Sequence, residues 1–288
     1  MPSSFSVKIG GVRIGVDSAR AGVEVCPSPQ YEHFDLLIGD GCRSSDIRVE
    51  VTRTDADYDC HWEPPDRLLQ LGLRGEQLVA RFCPFGQTRV FIVADEQFSS
   101  VRIEATSLGL QLQPFRPIIY PTDAYLLLGK LGPHRAALLH ASGVVVEGEA
   151  LLFVGEADAG KSTIAQLFHE KGHPLLADDN VLITQPGATD ALAHPTPWSF
   201  RTKHTWEHPA KLKAILMIEK GSDHSLLPTA SDGRTVQDLL RNTRRLHGTQ
   251  QFLQTLSLWH RLLSCIPCYR LVFSRHESVV EYVMGRLE

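Results

Sequence analysis

The chain has 288 residues, a hydrophobic fraction of 43% and a formal net charge of −4, enough apolar content for a packed core in one large or two ordinary domains and no excess of positive charge for a nucleic-acid partner. No apolar run nears the roughly 18 residues of a membrane span, and residues 1–8 lack the charged-then-apolar pattern of a secretion signal. The six cysteines, Cys26, Cys42, Cys60, Cys83, Cys265 and Cys268, are too sparse for a disulfide scaffold, so the expected setting is the cytoplasm, with no membrane partner.

From residue 5 to about residue 115 the chain reads as short β-type runs separated by turn residues: Val7 to Val16, Asp46 to Val51, Arg89 to Val93 and Val101 to Ala105. Several alternate apolar and polar side chains, the pattern of half-buried antiparallel strands. No repeat and no catalytic motif stands out. Residues 115–121 contain Pro117 and Pro121 and read as a linker. The expected organisation is a β-rich N-terminal domain over 1–115, by position a candidate for substrate recognition, and an α/β domain over 121–288, α+β overall.

After Pro121 the texture changes. Asp123 to Leu131 reads as a helix that Thr122 caps. Leu138 to Val146 and Ala150 to Val154 are apolar runs separated only by Glu147, Gly148 and Glu149, hence a tight hairpin. Lys161 to Lys171 has helical spacing, with Ile164, Leu167 and Phe168 on one face and Gly172 as its stop. Pro174 to Ala177 is a short buried strand. Val236 to Leu263 is a long helical region broken near Gly248, and Tyr269 to Phe273 a strand. Ser274 and Glu277 form a capping-box pattern before a last helix through Val279, Val280 and Val283. Strands alternating with helices argue α/β for this half.

The sharpest signal is Gly155, Glu156, Ala157, Asp158, Ala159, Gly160, Lys161, Ser162, which fits G-x-x-x-x-G-K-[ST] and is followed by Thr163. Glycines let the backbone wrap a phosphate, successive N–H groups point inward, and the following helix offers its positive end. In such a P-loop Lys161 reaches the terminal phosphates and the Ser162 hydroxyl ligates Mg²⁺. At ordinary residue usage a random chain of this length matches about 1% of the time; the apolar strand before the loop and the amphipathic helix after it make coincidence rarer still.

Two further groups aim at the same loop. If the hairpin turn is centred on Gly148, residues whose numbers sum to about 296 face each other, and His140 lies opposite Glu156; an ordinary histidine satisfied by backbone is the alternative. Asp178 and Asp179 end the strand after the loop's helix, at the strand end where α/β sheets bind ligands. A β-α-β crossover sets that strand parallel to the one before the loop, not necessarily adjacent. Two carboxylates there suit a metal anchor and a general base; a polar turn is the alternative.

Together, His140, the loop residues 155–162, Gly172-His173 and Ala177-Asp178-Asp179-Asn180-Val181 resemble, in order and spacing, the catalytic domain of HPr kinase/phosphorylase. The resemblance covers residues 136–184. It implies a phosphoenolpyruvate-carboxykinase-like, HPr-kinase-like domain that uses ATP and Mg²⁺ to phosphorylate a serine hydroxyl. By that resemblance Asp178 is the base, Asp179 serves Mg²⁺ or its water shell, and His140 sits by the transferring phosphate and tunes Asp178. The front half and the segment His194 to Lys203, with Pro197-Trp198, look like the wider set of HPr-kinase-like proteins, some associated with peptide-modifying pathways. The acceptor is then a peptide, protein or small-molecule hydroxyl, a biosynthetic precursor peptide among them, and a homo-oligomer is compatible with the sequence. A small-molecule kinase or carboxykinase-like enzyme and a non-catalytic nucleotide sensor are the rival readings; no Asn-Lys-x-Asp supports a GTPase.

Weaker signals have blander expectations. Cys265 and Cys268 form a C-x-x-C without further metal ligands and read as structural. Arg241, Arg244 and Arg245 fall on the expected helix and, with Arg201 and Lys203, read as solvated cations; the alternatives are a reach into the nucleotide cleft for the three arginines and substrate or phosphate contacts for Arg201 and Lys203. Trp198, Trp206 and Trp259 read as core or interface aromatics.

Overall fold

A computed structural model describes residues 3–39, 44–63, 67–75, 77–111, 113–132, 134–198, 206–229, 232–246 and 249–287. Cys42, Arg201, Lys203 and Gly248 lie outside the described residues. The chain divides into two compact units, Met1–Lys130 and Leu131–Glu288, each a mixed α/β structure dominated by a sheet.

The N-terminal unit runs through β1 (Ser4–Ile9), β2 (Val12–Asp17), β3 (Asp35–Ile38), β4 (Ile47–Arg53), β5 (Leu69–Arg74), β6 (Gln77–Phe82), β7 (Val90–Ala94), β8 (Ser100–Ala105), α1 (Ser107–Leu110) and α2 (Thr122–Lys130). The strands form one sheet in the order β3-β1-β2-β4-β8-β7-β6-β5. Alternation holds along it: Val7, Ile14, Ile47, Val49, Val101, Ile103 and Ile92 are buried and aligned across neighbouring strands. The sheet is not purely antiparallel, because β4 pairs in parallel with both β2 and β8. The expected linker is also packed structure. Phe115 and Ile118 are buried, and the Phe115 carbonyl accepts from the Cys26 N–H at 2.9 Å. The division therefore falls after α2, which Tyr31 holds through a 2.6 Å hydrogen bond to the buried Asp123. Thr122 opens that helix without capping it: its hydroxyl donates to the Ile119 carbonyl at 2.6 Å.

The C-terminal unit contains β9 (Ala136–Leu139), β10 (Ala141–Val146), β11 (Glu149–Val154), α3 (Lys161–Glu170), β12 (Leu175–Ala177), β13 (Val181–Thr184), β14 (Leu192–His194), β15 (Ala210–Lys220), β16 (Ser225–Pro228), α4 (Gly233–Arg241), β17 (Thr243–Arg244), α5 (Thr249–Leu263), β18 (Cys268–Phe273) and α6 (Ser278–Met284). Its sheet runs β12-β10-β11-β15-β14-β13-β9-β17, with β18 paired to both β15 and β16. Strands β9, β10 and β12 are buried along their whole length because both faces of the sheet are covered there. Leu151 and Phe153 of β11 pack with Ile164, Ala165 and Phe168 of α3 and with Val279, Val280 and Val283 of α6. The alternate residues Ala150, Leu152 and Val154 join Leu258, Trp259 and Leu262 of α5 on the other face.

The hairpin between β10 and β11 turns on Glu147 (φ 53°) and Gly148 (φ 84°), the pair of positive φ values of a type I′ turn. Its register pairs Ala141 with Val154 and Val146 with Glu149; the numbers sum to 295, one less than expected, and the ladder begins after His140. β12 lies antiparallel to β10 and so runs parallel to β11 without pairing with it. α3 stops where expected: Gly172 has φ 93°, and the His173 N–H returns to the Phe168 carbonyl at 3.1 Å.

Two expectations for the later elements differ from the structure. The region 236–263 is not one helix broken at Gly248, because α4 ends at Arg241 and residues 243–244 leave it to pair with β9. Thr243 is fixed there through its hydroxyl, which donates to the Leu239 carbonyl at 2.7 Å and accepts from Trp259 Nε1 at 2.9 Å. The capping box before α6 does not form either. Glu277 makes no side-chain cap and pairs instead with Lys171 at 3.0 Å.

Candidate functional site

The loop 155–160 leaves β11 and enters α3 through Gly160, at φ 104°. A side chain there would be strained by that φ and would meet Phe273 at 3.0 Å; one at Gly155 would meet Ala159 at 2.9 Å. Both glycines are therefore steric requirements of this loop. Lys161 is 7% exposed, and its ammonium donates to the carbonyls of Gly155 at 2.8 Å and Glu156 at 2.9 Å. Burial pushes the Lys161 ammonium below the usual lysine range, with Arg244 acting in the same direction against the pull of Asp179, Asp178 and Asp158.

The expected convergence is present, with one exchange of partners. Asp178 is 4% exposed, and a single oxygen, Oδ1, accepts the Ser162 hydroxyl at 2.8 Å and the Ser142 hydroxyl at 2.6 Å. His140, at the junction of β9 and β10, reaches Asp179 rather than Asp178. Its Nδ1 lies 2.8 Å from the Asp179 carbonyl and 3.1 Å from Asp179 Oδ1. Both are acceptors, and the Arg244 guanidinium stands 3.5 Å from the same nitrogen. The His140 N–H is anchored on the Asn242 carbonyl at 2.7 Å, just before β17. Asp179 itself has φ 88°, a conformation that costs a non-glycine residue about 1–3 kcal/mol and clusters at functional sites. Asn180 Nδ2 donates to its Oδ2 at 2.6 Å. Burial works to raise the Asp179 carboxyl, but the His140 hydrogen bond and the charges of His140, Arg244 and Lys161 outweigh it and hold the group below the usual carboxylate range.

These groups line one cleft of ≈ 370 Å³, in which His140, Ser142, Lys161, Ser162, Asp178 and Asp179 are joined by Thr163 and Arg275. A second cleft of ≈ 560 Å³ is lined by residues 154–159, sharing Ala157 and Asp158 with the first, and is bordered by Arg234, Arg241 and Arg270. Sequence reasoning missed Ser142 and Arg275, neither of which sits in a motif. Arg244 lies on β17 and not on a helix; it is exposed, and its Nε reaches Asn180 Oδ1 at 3.4 Å. Arg245 donates to the Leu240 carbonyl at 2.8 Å. Cys265 and Cys268 are free thiols, Cys268 buried in β18. Trp198 and Trp259 are fully buried, and Trp206 packs partly buried on the core.

Ser162 and Asp178 offer hard oxygen donors side by side, the chemistry Mg²⁺ takes. No group of three or more His, Cys, Asp or Glu able to hold a metal occurs among the described residues. Among the described residues no helix is long and apolar enough to cross a membrane.

No family model and no curated protein matches the chain. Among solved structures it is similar to the Hpr(Ser) kinase/phosphatase from Coxiella burnetii, at 15% identity over 52% of this chain and 97% of that chain, with a TM-score of 0.30, a distant structural likeness.

Proposed function

We propose that the C-terminal unit is a phosphotransferase that moves the γ-phosphoryl group of ATP to a hydroxyl with Mg²⁺, the acceptor being first of all a serine of a peptide or protein. The observation that carries this reading is the convergence of three chain segments on one cleft. The loop supplies Lys161 and Ser162, the end of β12 supplies Asp178 and Asp179, and the β9–β10 junction supplies His140. Phosphoryl transfer asks mainly for positioning and charge neutralisation, and this set contains a cation, a pair of carboxylates and an imidazole.

Lys161 exchanges the carbonyls of Gly155 and Glu156 for the β- and γ-phosphates. The N-terminal end of α3 adds its dipole to the same anion. Ser162 and Asp178 would hold Mg²⁺, which would supply neutralisation of the phosphate charge. The acceptor oxygen bonds to the γ-phosphorus, its proton passes to a carboxylate of the pair, and ADP leaves. His140 steadies Asp179 and, through it, the cleft wall.

The test is transfer itself. Radiolabelled ATP and Mg²⁺ are offered with peptides and with small hydroxyl metabolites. Label on a serine peptide supports the reading, and label on a metabolite alone redirects it to a small-molecule kinase. Tight ATP binding without transfer to any acceptor contradicts it and leaves a nucleotide sensor.

A further inference from the structure

Two clefts meet at the loop, and only the smaller carries the carboxylate pair. The larger, of ≈ 560 Å³, runs from the shared Ala157 and Asp158 to the end of β15 at residues 217–220. Its volume lies within the roughly 300–1,000 Å³ of small-molecule sites. In phosphoryl transfer the attacking and leaving oxygens stand roughly in line through the phosphorus. An acceptor whose proton passes to the carboxylate pair approaches from the smaller cleft, so the departing half of the donor points away from those carboxylates. The larger cleft is the one that leads away from them. Its buried lining is apolar: Val154 ends β11, and Met217 and Ile218 lie near the end of β15, which runs parallel to it. Such strand ends are where open α/β sheets receive ligands. One wall is α4, which presents Arg234, Asp238 and Arg241 at helical spacing. The charges on these walls are already matched. Arg270 pairs with Glu219 and stands 3.7 Å from Asp238, which is itself 3.7 Å from Arg241. Lys220 and Arg234 are offset by Glu156 and Asp158 of the loop. A cleft so balanced has no surplus for a second polyanion and suits an uncharged group with an apolar face and a polar edge.

We infer that the larger cleft is the nucleoside subsite: the base of ATP packs on Met217 and Ile218 with the Arg241 guanidinium over its other face, and the triphosphate crosses the loop at Ala157 to reach Lys161. The inference rests on the phosphotransferase reading and adds to it the place of the donor's uncharged half. The Arg241 side chain is 61% exposed and its pair with Asp238 is a weak surface contact, so the guanidinium can turn from that pair onto a ring, as arginine planes do on aromatic faces. Asp238 then keeps its second partner, Arg270, and is not left unpaired.

The experiment titrates ADP and inorganic pyrophosphate, each with Mg²⁺, into the full chain as wild type, Arg241→Ala and Arg275→Ala. Pyrophosphate carries phosphates without a nucleoside, so the ratio of the two affinities reads the nucleoside contacts. The wild type is expected to bind ADP more tightly than pyrophosphate. Arg241→Ala is expected to weaken ADP by about fivefold or more and to leave pyrophosphate within about twofold. Arg275, on the wall of the smaller cleft, is the control, and its alanine variant is expected to leave the ratio within about twofold. Equal losses of ADP and pyrophosphate in Arg241→Ala, or a wild type that binds the two equally, would overturn the nucleoside subsite and leave the phosphotransferase reading standing. A ratio that falls in Arg275→Ala and not in Arg241→Ala would move the nucleoside to the smaller cleft. An Arg241→Ala variant that spares ADP and raises the KM of the acceptor would give the larger cleft to the acceptor; both results overturn the inference. A wild-type chain that binds neither compound overturns both readings.

Discussion

In the N-terminal sheet, Arg102, Glu104 and Tyr58 bond to one another along one face. Arg102 Nε donates to Glu104 at 2.6 Å and the Tyr58 hydroxyl to the same carboxylate at 2.8 Å, and Arg20 and Glu50 pair in the open at 3.2 Å. The C-terminal unit uses the same residue types differently. Lys161 and Asp178 are buried; the ammonium donates to two backbone carbonyls, and Asp178 Oδ1 accepts two hydroxyls. Charges that pair at a surface contribute little, about 0–1 kcal/mol. A buried ammonium and a buried carboxylate brought to one cleft are costly to keep, and that contrast is what marks the C-terminal cleft as a candidate site.

The comparison can be broken from either side. Phe153→Ala should have the largest effect on stability. The ring lies 5.3 Å from that of Phe168 beneath the loop's helix and is fully buried, so denaturant unfolding should show a loss of about 3–5 kcal/mol; a loss below about 1 kcal/mol would mean that α3 is not seated as described. Next comes an acid effect at His194. Burial pushes its imidazole down to about 4, and its Nε2 lies 2.7 Å from the Thr184 hydroxyl. Between about pH 6.5 and that value the unfolded chain binds the proton and the folded one does not. Stability therefore falls as pH is lowered through that window, by on the order of 3 kcal/mol. His194→Gln should flatten this part of the pH–stability curve, and an unchanged slope in the variant would refute the attribution. Smaller is Tyr31→Phe in the N-terminal unit, which removes the phenol that donates to buried Asp123 and should cost about 1–3 kcal/mol in the same unfolding assay. An Arg20→Ala change should stay within about 0.5 kcal/mol, and a larger loss would show the surface pairs to matter more than the contrast allows.

What was legible in the sequence was local. The strand, loop and helix around Lys161 are contiguous, so the glycine spacing and the apolar periodicity of Ile164 and Phe168 declare them together. The hairpin was legible through Gly148, but its register was not: the turn uses Glu147 and Gly148 equally, which moves the axis of pairing half a residue and leaves His140 beyond the ladder. That histidine reaches the cleft by a route no local pattern contains, through a bend fixed on the Asn242 carbonyl about a hundred residues away. The two-residue strand β17 was hidden for the same reason, since pairing with Leu138 and Leu139 overrides a helical pattern. In the N-terminal unit, β5 runs unbroken through Gly72. Its lack of a side chain admits Cys60 and Trp62, each of which would lie 2.9 Å from an added Cβ. Ser142 was illegible because a lone serine in an apolar run carries no chemistry until Asp178 is placed 2.6 Å away.

The central claim is that the Lys161 cradle binds the phosphates of ATP in concert with Mg²⁺. Calorimetric titration of ATP into the wild-type chain and Lys161→Ala, with and without Mg²⁺, tests it most directly. The account predicts Mg²⁺-dependent binding in the wild type and a loss of about a hundredfold in the variant, the scale of losing two charge-assisted hydrogen bonds. Equal affinity in the two proteins, or none in either, would contradict it.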